Sequence, residues 1–109
     1  MGKTPDQLQG TLGLLILKTL ALGPNHGFGI ALHIQNASSG LLRVEEGSLY
    51  PALHRLEKEK LVSAEWRLTE NSRRARYYRL TPLGRKWLAN AERSWTSMTK
   101  GIAKVLRFA

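Results

Sequence analysis

Apolar residues between Asp6 and Leu22 fall at Leu8, Leu12, Leu15, Ile16 and Leu20, and again at Leu14, Leu17 and Leu22, so the spacing predicts a helix that is apolar round most of its circumference. One-sided contact does not bury such a helix. In a chain this small, part of it, at Leu12, Leu15 and Ile16, is expected to face a second subunit. Gly23-Pro24-Asn25 ends it, and a shorter helix follows over about Gly27 to Asn36, with Ile30, Ala31 and Ile34 inward. Ala37-Ser38-Ser39-Gly40 closes that one.

A third helix is predicted from Glu46–Ser48 to about Lys60, with Leu49, Leu53 and Leu56 on its inner face. Pro51 fits cheaply only in a first turn, which makes Ser48 a candidate N-cap. Strict alternation over Val62 to Leu68 sets Val62, Ala64, Trp66 and Leu68 on one side of a strand, with Trp66 read as core. The polar turn Thr69 to Arg74 leads into a returning strand, Ala75 to Leu80, and the two make a hairpin. Thr81 then caps a last helix with Pro82 at its first position. Along this helix Leu88, Ala91, Trp95, Met98, Ile102 and Val105 recur at alternating intervals of three and four, the pattern of a seam between two helices. At about 1.5 Å per residue it is roughly 35 to 40 Å long, more than this domain can cover, so the seam is expected to join two copies of the chain.

Helix, helix, helix, strand, turn, strand, helix is the order of a winged helix-turn-helix with one added helix: mainly α with a small β-hairpin wing. The division expected is 1–81 for the winged unit and 82–109 for a dimerisation helix, the whole forming one compact unit. In this architecture the third helix enters the major groove, the second braces it, and the hairpin lies along the backbone or minor groove.

Composition fits that use. Seventeen basic residues against eight acidic give 109 residues a net charge of +9, an excess that favours a polyanion such as double-stranded DNA. Arg73, Arg74 and Arg76 cluster at the hairpin tip and descending strand, where phosphate or minor-groove contact is expected. On the third helix Ser48, Tyr50, His54 and Arg55 are the candidates for DNA, with capping competing at Ser48 and packing of its ring at Tyr50. The chain has no cysteine, and His26, His33 and His54 are scattered, so neither a metal, a redox centre nor another cofactor is expected. Dispersed glutamates without a histidine partner argue against an enzyme. No run of about 18 apolar residues reads as a membrane span, and Met1 to Pro5 lead into no secretory cleavage site, so the expected location is the cytoplasm.

Six strings carry a more specific likeness: Leu15-Ile16-Leu17, Gly23-Pro24-Asn25-His26-Gly27-Phe28-Gly29-Ile30, Gly47-Ser48-Leu49-Tyr50-Pro51-Ala52-Leu53, Arg55-Leu56-Glu57, Arg76-Tyr77-Tyr78 and Leu80-Thr81-Pro82-Leu83-Gly84. In this order and at these intervals, over about Leu8 to Leu88, they resemble the signatures of PadR-family transcriptional regulators, in the short form with a single terminal helix. The resemblance implies a dimeric repressor, with Ser48 and Tyr50 facing the operator, wing arginines on the DNA backbone and the last helix packed on the partner. It also implies a place for a small aromatic effector at Trp95, against the plainer role of filling a dimer core; Trp87 is read as core. Two positions depart from the family: Phe28 stands where tyrosine is usual, removing a hydroxyl, and Lys60 stands where glycine is frequent, so it must adopt a left-handed conformation or the helix must end differently. The competing reading is a winged-helix module whose basic wing meets an acidic protein.

Overall fold

The computed structural model describes residues 6–108; residues 1–5 and 109, and the side chains of residues 6–10 (Leu8 among them) and 108, lie outside the described part. Its elements run α1 (Asp6–Leu20), β1 (Asn25–His26), α2 (Gly27–Ala37), α3 (Glu46–Lys58), β2 (Val62–Leu68), β3 (Arg74–Leu80) and α4 (Pro82–Phe108). Four helices surround a small antiparallel sheet of order β1-β3-β2. The predicted hairpin is present, with Val62 opposite Leu80 and Leu68 opposite Arg74, but it carries a third strand. Asn25 and His26 pair with Tyr78 and Tyr77. A two-residue strand has no periodicity to read, and only its tertiary partner makes it one.

One chain buries most of α1. Leu12, Ile16, Leu17 and Leu20 are closed into a core with Ile30 and Ile34 of α2, Leu49, Leu53 and Leu56 of α3, Val62, Tyr78 and Leu80 of the sheet, and Leu88 of α4. Leu12, Ile16 and Leu88 therefore do not belong to a subunit seam, as the pattern had suggested. α2, α3 and the sheet surround α1 on more sides than a one-sided count allows, and Leu15 is itself packed against the core.

The third helix starts earlier than Pro51 suggests. Glu45 is its cap residue, without a side-chain cap bond, and Ser48 lies in the first turn with its N–H donating to the Glu45 carbonyl at 3.0 Å. Ser48 is thus not the N-cap. Pro51 is the sixth residue of the helix, and the carbonyl it fails to engage belongs to Gly47, which is exposed to solvent. At the other end Lys60 does take the left-handed conformation, with φ 65°. The Leu61 N–H reaches the Leu56 carbonyl and the Lys60 N–H the Glu57 carbonyl, both at 3.0 Å, which is the Schellman closure.

Thr81 caps α4 as expected, its Oγ1 accepting from the Gly84 N–H at 2.9 Å. A side chain at Gly84 would run into the Leu61 carbonyl, so glycine lets the start of α4 sit directly on the end of the α3 turn. Lys18 and Glu92 pair at 2.9 Å where α4 crosses α1. Beyond that crossing α4 leaves the body, and the molecule reaches 54 Å along its longest axis. No helix among the described residues is long and apolar enough to cross a membrane.

Candidate nucleic-acid interface

Along α3 the inner stripe of Leu49, Leu53 and Leu56 fixes the rotation of the helix, leaving Tyr50, His54, Arg55 and Lys58 exposed on the outside. Ser48 is half-buried at the first turn. The Tyr50 ring is not a free arm: it stands so close to the start of α2 that a Cβ at Gly27 would lie 2.9 Å from its ring and hydroxyl. Packing holds the phenol there while leaving it exposed. His54, Arg55 and Lys58 extend from the next two turns.

The hairpin tip is tied by Thr69. Its N–H donates to the Arg73 carbonyl at 2.8 Å, and its Oγ1 accepts from the Arg73 N–H at 3.2 Å and the Asn71 N–H at 3.3 Å. Ser72, at φ 59°, completes the turn. Arg73 and Arg74 are exposed on this fixed tip.

Arg76 behaves differently from its two neighbours. Its Nη2 donates to Glu57 Oε2 of α3 at 2.6 Å, and about two-thirds of each side chain is buried. It is an internal contact between helix and wing, not part of the exposed arginine cluster; the alternation of β3 turns it inward beside Tyr78. Burial pushes the Tyr78 phenol above 10.0, with the Arg76 guanidinium opposing the rise and Glu57 and Tyr50 adding to it.

Trp66 is not core. It shares the Val62 and Ala64 side of β2, but at 58% exposure it lies past the reach of the core, and so does Leu68. Arg74 places its guanidinium over the Trp66 ring, 5.1 Å from the centroid. On the opposite side Arg67 lies 4.2 Å over Tyr77, whose ring meets His26 edge-on at 5.2 Å. Trp66 and Arg67 are thus exposed wing residues that sequence reasoning passed over. The available signal was length: seven strand residues outrun a core fed by the first three.

On α4 the apolar seam residues beyond Leu88 and half-buried Ala91 lack cover within the chain. Trp87, Trp95, Met98, Ile102 and Val105 are all exposed, so Trp87 is not core either. Thr11, Leu14, Trp87, Ala91, Trp95 and Met98 line an apolar groove of about 400 Å³ between α1 and α4.

The model of the transcriptional regulator PadR-like family matches residues 16–90. The chain is 41% identical over 96 residues to an uncharacterized 37.1 kDa protein in transposon TN4556 of Streptomyces fradiae, covering 88% of this chain and only 25% of that protein. Among solved structures it resembles a transcriptional regulator from Clostridium thermocellum, with TM-score 0.83 and 31% identity over 92% of this chain and 97% of that one. A PadR family transcriptional regulator from Eggerthella lenta superposes with TM-score 0.78 and 30% identity, over 93% of this chain and 86% of the other.

Proposed function

Since the chain belongs to the PadR-like family of transcriptional regulators, we propose that it is a sequence-specific duplex DNA-binding repressor, acting as a homodimer on a palindromic operator in the cytoplasm. The observation that carries this reading is the pairing of two exposed cationic elements: Tyr50, His54, Arg55 and Lys58 on α3, and Arg73 and Arg74 on the wing tip. A helix of this kind reads base edges in the major groove, while wing arginines neutralise phosphates. Trp66 and Arg67 join that wing surface, and Ser48 approaches the backbone from the first turn of α3. Arg76 leaves the set because its charge is engaged with Glu57.

Residues 82–109 serve dimerisation in this reading, and 1–81 serve DNA. The subunit face comprises Trp87, Trp95, Met98, Ile102 and Val105 of α4, whose exposure is costly in water, together with half-buried Ala91 of α4 and Leu14 of α1. Two copies align two recognition helices, which gives a small module the specificity one helix lacks. The groove at Trp95 is the place for a flat aromatic effector that releases the operator.

Selection of bound sequences from random duplexes at near-physiological salt tests the proposal. A palindrome with half-sites about 34 Å apart is the expected product. Recovered sequences with no common motif would overturn it.

A further inference from the structure

Of the ion pairs among the described residues, Lys18–Glu92 joins α1 to α4 and Arg67–Glu65 lies within β2, whereas Arg76–Glu57 alone joins α3 to the wing. Tyr50, His54 and Glu57 follow one another at intervals of four and three, so Glu57 continues the stripe that carries two exposed residues of the recognition helix. Arg76 stands opposite Trp66 in the sheet, on the side where Trp66 and Arg74 lie exposed. The pair therefore connects the stripe of α3 that carries Tyr50 and His54 to the side of the wing that carries Trp66 and Arg74.

We infer that Glu57 and Arg76 are positioning residues: a part-buried ion pair that fixes the wing against the reading face of α3, so that both meet one duplex in register. The inference rests on the DNA-binding reading above. A contact of 2.6 Å between charges about two-thirds buried is screened less by water than a fully exposed pair. The guanidinium has little else to hold it, since its Nε is buried and makes no hydrogen bond. Removing Glu57 leaves the part-buried Arg76 guanidinium without its carboxylate, and the side-chain tie between α3 and the wing is lost.

Two signs separate this role from simple electrostatics. Glu57→Gln deletes an acid close to a polyanion, which by charge alone tightens DNA binding; loss of wing alignment weakens it. Arg76→Lys keeps the charge that a phosphate contact needs, because lysine also binds phosphate, but its ammonium ends one bond short of the Nη2 that meets Glu57 Oε2.

Fluorescence anisotropy with the recovered operator duplex, on the full chain, tests the inference. Glu57→Gln and Arg76→Lys are each expected to bind about tenfold more weakly. The double variant Glu57→Gln/Arg76→Gln is expected to lose no more than Arg76→Gln alone, since the two residues act as a unit. Glu57→Gln binding as tightly as wild type or tighter, Arg76→Lys matching wild type, or additive losses in the double variant would each overturn it. Thermal melts identify any variant that unfolds, and Arg76→Lys, the mildest change, then decides. A wild-type chain that binds no duplex removes the DNA-binding reading as well, whereas wild-type binding with Glu57→Gln unimpaired removes only the positioning role.

Discussion

The Thr81 hydroxyl donates to the Lys60 carbonyl at 2.8 Å while accepting from the Gly84 N–H at 2.9 Å. One side chain thus caps α4 and clamps that cap to the turn that ends α3. Since α3 and α4 carry the proposed DNA and dimer surfaces, the clamp couples the two. Thr81→Ala removes both bonds and is expected to cost about 1–2 kcal/mol, while Thr81→Ser keeps them. Urea denaturation of the three proteins checks this; equal midpoints for Ala and Ser would refute the clamp.

Lys60 holds a left-handed φ of 65° where a side chain is strained. Lys60→Gly is expected to raise stability by about 1 kcal/mol, corresponding to a rise of roughly 4–8 °C in Tm for a domain of this size. A lower Tm would mean that the lysine makes a compensating contact.

These turns mark the limit of what the chain discloses before folding. The β2 strand, Val62 to Leu68, and the Thr81-Pro82 helix start are legible because local rules determine them: alternation, capping and a preset proline angle. What escapes is decided by distant partners. β1 exists only through Tyr77 and Tyr78, and Arg76 differs from Arg73 and Arg74 only because Glu57 lies across from it. Alternation likewise assigns Trp66 a side of the sheet without saying that the core stops short of it. At the site, the exposed positions Tyr50, His54 and Arg55 follow from helix periodicity, whereas the packing of Tyr50 on Gly27 does not.

Alkaline pH should reveal Tyr78. Its phenol is raised by burial above the ordinary 10.0, so the folded chain retains this proton more firmly than the unfolded chain. The stability it contributes is complete below pH 10, and falls as pH rises from there through the folded value. Urea midpoints measured between pH 9 and 11 should drop more steeply for wild type than for Tyr78→Phe. Parallel curves would contradict this.

Replacing Met98 and Ile102 with Glu puts charge on the exposed apolar face of α4 without touching the core. Sedimentation velocity is expected to show a dimer for wild type and a monomer for the double variant, with helical content retained. A variant that remains dimeric would place the subunit contact elsewhere.

The central claim is met most directly by titrating the operator recovered from selection across a salt series, beside a scrambled duplex of equal length. Log affinity is expected to fall linearly with log salt, the operator is expected to outcompete the scrambled duplex, and Arg73→Ala/Arg74→Ala should flatten the slope by about two per subunit. Equal affinity for the two duplexes, or binding indifferent to salt, would contradict the account.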